Sequence, residues 1–327
     1  MRIRSIAFDG IRGIPDRSFD LTQQGTGAAI VAVTGGPGAG KTTFLQALIA
    51  AKEDVGSYGG APDTAALVRQ GLSGAKIHVE WELSASEVER FGIKELRYSS
   101  ETILGMKASE TPPHEPVLEA VLSDYDPSPK SGKVEYFHAG RELPVGLPVD
   151  MSRPAGSVLD RMTRLGTANS KFEGLVRFIV ASGLGLAAGP DGGQAKPGRI
   201  TEAFGMLCQS KKLAGLYRVG DGVYPGFTNH EGATFGLMQL SDSERDALLF
   251  ASSYVRSGLV DNEPGSIVLI DTPERFLGDA DGAALVDALH RLGQNNQIIV
   301  ATRSEVLLRN ARCTINLGGQ SAAPSGS

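Results

Sequence analysis

Short apolar runs alternate with longer amphipathic stretches along the chain, and this alternation predicts its secondary structure. Apolar runs of four to six residues at 28–33, 267–270 and 298–301 are typical of strands buried on both faces of a parallel sheet. Apolar residues at helical spacing predict helices over the following ranges: 44–51, 157–182, 200–213, 242–255, 280–292 and 305–310. Strands and helices in this order predict an α/β fold with a mixed sheet flanked by helices.

A second group of strands alternates apolar with polar residues, which is typical of strands with one exposed face. Two such strands are predicted within residues 1–27, and others at 76–83, 134–138 and 313–317, with a hairpin across residues 220–222. Proline at 106–116 and glycine at 183–198 predict loops. We expect an N-terminal half over 1–150, an inserted, mainly helical lobe over 151–235, a C-terminal half over 236–317 and a disordered tail over 318–327.

Composition narrows the class of protein. The 327 residues are 41% apolar, enough for a sizeable core, and the net charge of −5 argues against a globally basic nucleic-acid binder but not against a local basic patch. Cys208 and Cys313 lie far apart without a metal-type spacing, which predicts a reduced, cytoplasmic setting. The chain has no run of about 18 apolar residues, so no direct membrane insertion is expected.

A glycine-rich loop between the first buried strand and the first helix carries the strongest chemical signal. Its residues are Gly35, Gly36, Pro37, Gly38, Ala39, Gly40, Lys41, Thr42 and Thr43. The spacing G-x4-G-K-T predicts a loop whose backbone N–H groups surround phosphate at a helix N-terminus. Lys41 is expected to reach the β and γ phosphates of a nucleotide, and the Thr42 hydroxyl to bind Mg²⁺.

Two later blocks offer further candidate residues. Ser241, followed three residues later by Glu244, predicts a capped helix start, where Ser241 and Ser243 can face an anion. The strand at 267–270 ends in Asp271, at the edge where open α/β sheets bind ligands, so Asp271 is expected to hold Mg²⁺ through water. Glu274 is a second carboxylate that can orient a water molecule.

Three arginines are candidate contacts as well. Arg12 lies in a turn-rich link, as a nucleotide contact or a solvated loop residue, and Arg303 follows a buried strand, where it can touch the γ-phosphate. Arg141 ends the strand at 134–138. It can meet phosphate or a partner subunit, or form a structural salt bridge.

In this order, the blocks resemble those of ABC-type ATPases of the SMC/RecF-like and OLD-like group. Arg12-Gly13 resembles the N-terminal segment of that group, residues 35–42 its Walker A loop, and Tyr136 to Arg141 its aromatic strand ending in arginine. Residues 240–244 are similar to the ABC signature, with Ser243 where glycine is usual. Residues 267–274 resemble Walker B and residues 302–304 the switch segment. The resemblance implies an ABC-type P-loop fold with an antiparallel N-terminal β part and an inserted helical lobe.

The resemblance implies an ATPase that uses ATP and Mg²⁺ and forms a homodimer, in which Ser241 of one protomer closes on ATP bound by the other. It also implies action on DNA or a DNA-associated partner, in repair, chromosome maintenance or phage defence. Thr272 and Arg303 replace the usual glutamate and histidine, so hydrolysis by Lys41, Asp271, Glu274 and Arg303 is expected to be slow. The alternative is a hydrolysis-poor ATP sensor that controls a separate effector protein. A transporter ATPase is disfavoured, because the usual signature glycines are missing.

Overall fold

A five-stranded parallel sheet forms the centre of the fold. The computed structural model describes residues 1–60, 63–105, 113–125, 128, 130–145, 158–187, 198–220 and 222–318. The sheet order is β14-β5-β13-β12-β8. Its strands are β5 (Ile30–Thr34), β8 (Val134–Phe137), β12 (Ile267–Asp271), β13 (Gln297–Ala301) and β14 (Cys313–Asn316). Every neighbouring pair in it runs parallel.

Antiparallel strands form the other sheets. A four-stranded sheet has the order β2-β1-β6-β7 and is built from β1 (Arg2–Asp9), β2 (Arg17–Asp20), β6 (Gly74–Glu82) and β7 (Arg97–Gly105). A three-stranded sheet contains β9 (Lys212–Val219), β10 (Gly222–Thr228) and β11 (Thr234–Gly236), and β3 (Thr22–Gln23) pairs with β4 (Thr26–Gly27). These sheets confirm the predicted mixed α/β class with antiparallel N-terminal strands.

The helices pack around these sheets. They are α1 (Lys41–Val55), α2 (Ala85–Phe91), α3 (Pro116–Ser123), α4 (Val158–Thr163), α5 (Glu173–Gly183), α6 (Gly198–Leu207), α7 (Asp242–Arg256), α8 (Gly278–Leu292) and α9 (Glu305–Asn310). Helix α1 contacts β6 and β7 of the antiparallel sheet and also β5, β12 and β13 of the parallel sheet. In the described part of the chain, no helix is both long and apolar enough to cross a bilayer.

Two hydrophobic cores lie on opposite faces of the parallel sheet. Along β12, Leu269 belongs to the core around α1, whereas Val268 and Ile270 belong to the core that contains α5, α6, α7 and α8. Because side chains of a strand alternate between faces, a strand covered on both faces must be apolar throughout. This burial is the physical reason for the continuous apolar runs.

The structure corrects some of the predicted elements. The helix predicted over 157–182 is interrupted after α4, and a 3₁₀ turn precedes α5, because Gly166 and its neighbours form a turn. The helix predicted over 200–213 ends with α6, since alternating residues from Lys212 onward pair as β9. Strand β7 and helix α3 were not predicted, and Pro116 starts α3 instead of lying in a loop. Residues 106–112, 188–197 and 319–327, where loops and a tail were predicted, lie outside the described residues.

His138, directly after β8, is buried in a strongly cationic environment. The residue is 5% exposed, and its Nε2 atom has no hydrogen-bond partner among the described residues. Burial lowers the pKa of His138 to about 4, and the nearby charges of Lys171, Arg141 and Arg275 act in the same direction. The imidazole is therefore neutral in the folded protein near pH 7.

We predict that acid destabilises the protein partly through His138. An unfolded histidine titrates near pH 6.5, so the contribution of the neutral ring is complete above that pH and is lost as pH falls towards 4. Between pH 7.5 and pH 5 the loss is about 2 kcal/mol. Urea unfolding of the wild type and His138→Phe at both pH values measures it. The variant should lose about 2 kcal/mol less, and the exposed control His78→Phe should behave as the wild type.

Candidate functional site

The glycine-rich loop connects the carboxyl end of β5 to the start of α1. Gly35, Gly38 and Gly40 have φ angles of 149°, 73° and 86°, a region that side chains rarely adopt. A Cβ atom on Gly40 would lie 2.4 Å from the carbonyl oxygen of Gly13. Glycine at position 40 therefore allows the N-terminal link, with Arg12 and Gly13, to pack directly on the loop.

A cavity of about 870 Å³ opens at this loop. The residues that line it come from four separated stretches of the chain and are Arg12, Gly13, Gly38, Ala39, Gly40, Lys41, Thr42, Thr43, Asp271, Thr272, Glu274, Thr302 and Arg303. The parallel strands β5, β12 and β13 all end here, which explains why residues so distant in sequence meet at one edge. Most of the predicted site residues thus lie together.

Asp271 and two threonines form a hydrogen-bonded cluster in the lining of the cavity. The Thr42 hydroxyl donates to Asp271 Oδ2 at 2.7 Å, and the Thr272 hydroxyl donates to Asp271 Oδ1 at 3.0 Å. Asp271 is 3% exposed. A hydroxyl oxygen and a carboxylate oxygen at this distance are hard ligands of the kind that Mg²⁺ prefers, so Thr42 and Asp271 fit a magnesium ion.

Lys41 lies over the loop and contacts it through its ammonium group. Lys41 Nζ donates to the carbonyl oxygens of Gly35 and Gly36 at 2.8 and 2.9 Å. Partial burial lowers the pKa of Lys41, and the charge of Arg303 acts in the same direction. The cavity is thus lined by three cationic side chains, those of Lys41, Arg12 and Arg303. Asp271 and Glu274 contribute two carboxylates.

A strained turn brings Glu274 into the cavity. Thr272, a β-branched residue, has a φ angle of 51°, and a 3₁₀ turn (Pro273–Phe276) follows it. This conformation is costly for threonine. Glu274 Oε1 accepts a hydrogen bond from the backbone N–H of Arg303 at 3.0 Å, whereas Oε2 is buried without a hydrogen-bond partner among the described residues.

Ser241 and Ser243 lie away from this cavity. Ser241 caps α7, because its hydroxyl accepts from the Glu244 N–H at 3.3 Å and its own N–H donates to the Glu244 carboxylate at 2.9 Å. Ser241 is exposed, and its hydroxyl lies 3.0 Å from that of Ser243. The predicted capped helix start is confirmed, but neither serine lines the cavity of its own chain.

Arg141 forms a structural salt bridge, which decides between the alternatives left open by the sequence. Its guanidinium is fully buried and donates to both carboxylate oxygens of Asp246, each at 2.8 Å. It does not line the cavity. Sequence reasoning did not identify Asp246, since a lone aspartate within a helix carries no signal of a partner 105 residues away.

Comparison with solved structures defines the class of fold. The chain has the fold of SMC head domains. A Smc head bound to the C-winged helix domain of ScpA matches with a TM-score of 0.59 and 13% identity, covering 98% of this chain and 95% of that chain. A Pyrococcus furiosus Smc head bound to the C-terminal domain of ScpA matches at 0.56 and 12%, over 96% and 93% of the two chains. A Pyrococcus yayanosii Smc head with a coiled coil and joint matches at 0.55 and 10%, over 98% and 95%.

At sequence identities this low, the matches show a similarity of fold only. No protein-family model matches the chain, and no curated protein does.

Three glycine substitutions test the loop geometry. Gly36→Ala meets no atom within 4 Å and needs no positive φ, so it should change the free energy of unfolding little. Gly38→Ala needs φ of 73° but meets no atom, and should cost about 1 kcal/mol. Gly40→Ala adds the clash with Gly13 and should cost more than about 3 kcal/mol. Urea unfolding measures all three, and equal costs would contradict the close approach of the two segments.

Proposed function

We propose that this protein binds ATP with Mg²⁺, hydrolyses it slowly and dimerises around it. The observation that carries the proposal is the cavity at the carboxyl ends of the parallel strands. There a glycine-rich loop, the cations of Lys41, Arg303 and Arg12, and the Thr42–Asp271 pair converge. Each part matches one part of a nucleoside triphosphate: N–H groups and cations face phosphate oxygens, and the hydroxyl–carboxylate pair suits the metal.

Thr42 and Asp271 would hold a magnesium ion that is bound with the nucleotide. The ion would neutralise part of the phosphate charge. Lys41 would exchange its hydrogen bonds with the Gly35 and Gly36 carbonyls for phosphate oxygens, which accept charge-assisted hydrogen bonds more strongly. Arg303, which is exposed and lines the same cavity, would stabilise charge on the γ-phosphate.

The exposed start of α7 supports the homodimer. A single chain surrounds the phosphate-binding loop on one side, while Ser241 and Ser243 lie outside that cavity at an uncovered helix N-terminus. A helix N-terminus attracts phosphate through its free N–H groups and its dipole. We infer that two protomers associate head to tail, so that the α7 start of each one covers the nucleotide held by the other.

The dimer predicts a specific effect of Ser241→Ala. Loss of its hydroxyl should weaken dimerisation in ATP and Mg²⁺ by at least tenfold, because a phosphate contact disappears together with the cap. Light scattering with a slowly hydrolysed ATP analogue gives the mass over a range of concentrations. Lys41→Ala should abolish the ATP-dependent dimer altogether.

Ser84→Ala is the matched control for this measurement. Ser84 caps α2 in the same arrangement, with Glu87 in the role of Glu244, so both variants lose the same capping interaction. Each should cost about 1 kcal/mol of stability, but Ser84→Ala should dimerise as the wild type. A monomer mass for the wild type with and without nucleotide would refute the dimer.

Glu274 is our candidate for the carboxylate that orients the attacking water. Thr272 occupies the position directly after Asp271, and its hydroxyl is hydrogen-bonded to Asp271. Threonine cannot accept a proton near neutral pH. Glu274 lines the cavity and carries a buried carboxylate oxygen without a partner among the described residues, so it can accept a hydrogen bond from water.

We predict that Glu274→Gln lowers kcat about 100-fold and leaves ATP affinity within about threefold, because the amide keeps the hydrogen bond to Arg303 but loses the base. Phosphate release under steady-state conditions and equilibrium nucleotide binding measure the two effects. Glu142→Gln, a change at a neighbouring exposed carboxylate outside the cavity, is the control. An unchanged kcat in Glu274→Gln would exclude this role.

The replacement of the usual glutamate by Thr272 favours a second candidate, a hydrolysis-poor ATP sensor that controls a separate effector protein. Tight ATP binding with negligible turnover in the wild type would support the sensor. Action on DNA or a DNA-associated partner rests on the resemblance of the motifs to the SMC/RecF-like and OLD-like group. Phosphate release that duplex DNA stimulates, and that Lys41→Ala abolishes, would favour it over the sensor.

A further inference from the structure

Arg141 uses every donor of its guanidinium group inside the protein. Nε and Nη2 donate to the two carboxylate oxygens of Asp246 at 2.8 Å. Nη1 donates to the carbonyl oxygen of Asp271 at 2.9 Å and of His138 at 3.4 Å, and Nη2 also donates to that of Thr272 at 3.4 Å. These bonds account for the five N–H donors of arginine, so Arg141 has none left for a ligand.

These acceptors belong to three different parts of the site. His138 follows β8, Asp271 ends β12 and Thr272 follows it, and Asp246 lies on α7. The guanidinium also lies over the ring of Phe250, one helical turn beyond Asp246, with 4.9 Å between the guanidinium carbon and the ring centroid. One rigid planar group therefore fixes the first turns of α7 to the end of β12.

The end of β12 and the start of α7 supply the two sides of each ATP site in the proposed dimer. The side chain of Asp271 binds Thr42 in the nucleotide cavity, while its carbonyl oxygen binds Arg141. Asp246 lies five residues after Ser241, about 7.5 Å along the helix axis. A continuous set of hydrogen bonds thus leads from the cavity of a protomer to the helix start that the proposed dimer places in the site of its partner.

We propose that Arg141 couples the two ATP sites of the dimer by holding the start of α7 in a position set by Asp271. This inference rests on the proposed function. ATP bound in one protomer changes the contacts of Asp271, and Arg141 passes the change to Ser241 and Ser243 of the same chain. In the proposed dimer, those serines contact the nucleotide that the partner protomer holds. Arg141 is a positioning residue, because it touches neither the cavity nor its contents.

A second buried ion pair that contacts α7 provides the matched control for a purely structural role. Arg164 and Glu135 form another buried ion pair, 3.5 Å apart. Arg164 also donates to Ser257, which follows the opposite end of α7. Loss of the guanidinium group of either arginine should destabilise the fold. Arg164, however, contacts α7 at the end remote from Ser241.

The experiment compares Arg141→Lys with Arg164→Lys. The dissociation constant of the dimer is measured with and without an ATP analogue and Mg²⁺, ATP affinity is measured on the monomer at low protein concentration, and urea unfolding measures stability. Arg141→Lys should reduce the ATP-induced strengthening of the dimer at least tenfold and leave monomer affinity within about threefold. Arg164→Lys should retain the full strengthening. Equal effects of the two variants, or an unchanged strengthening in Arg141→Lys, would overturn the proposal.

A second measurement needs no variant at position 141. Hydrogen exchange of the wild-type monomer, at a concentration below dimerisation, should slow at residues 242–248 when ATP and Mg²⁺ bind, while residues 252–256 should not change. If ATP and Mg²⁺ do not change the hydrogen-exchange rate at the start of α7, the coupling is refuted. Failure of the wild type to bind ATP would instead refute the proposed function, so the two failures are distinguishable.

Discussion

The position of Asp271 is the constraint on which the site depends. Its carboxylate holds the hydroxyls of Thr42 and Thr272, and its backbone carbonyl oxygen holds Arg141. An aspartate that is 3% exposed needs such partners, because a buried charge without them is costly. The apolar burial of β12 on both faces supplies the rigidity that keeps these contacts at the sheet edge.

Local signals in the sequence predicted the parts of the site that form within one short segment. Residue type and spacing within the segment determine the conformation of the glycine loop, of the cap at Ser241 and of the acidic end of β12. The position of Asp271 at the ligand-binding edge followed from the general behaviour of parallel sheets. Arg303 was a candidate for the same reason, whereas a nucleotide contact was one interpretation of Arg12 in a turn-rich link, and the fold brings both to the cavity.

Features that depend on distant partners could not be predicted in the same way. Arg141 allowed two interpretations, because its partner Asp246 becomes visible only when α7 packs against β12. Strand β7 was missed because two of its buried positions are Ser100 and Thr102, which weaken the apolar alternation. The long helix predicted at 157–182 followed an apolar periodicity that persists across the turn at Gly166, where tertiary packing overrides the pattern.

The separation of the two cores explains why a contact at the sheet edge matters. Helix α1, with the glycine-rich loop at its start, packs on one face of the parallel sheet, and α7 packs on the other. Close-packed strands between them leave little room for a side chain to pass through the sheet. The hydrogen bonds that link the two sides run around the carboxyl edge, where the chain leaves β12. Arg141 binds the β12 end and α7 together at that edge, and the strained turn at Thr272 directs the chain from there to Glu274. The cavity and the exposed helix start are thus both linked by hydrogen bonds to the end of β12.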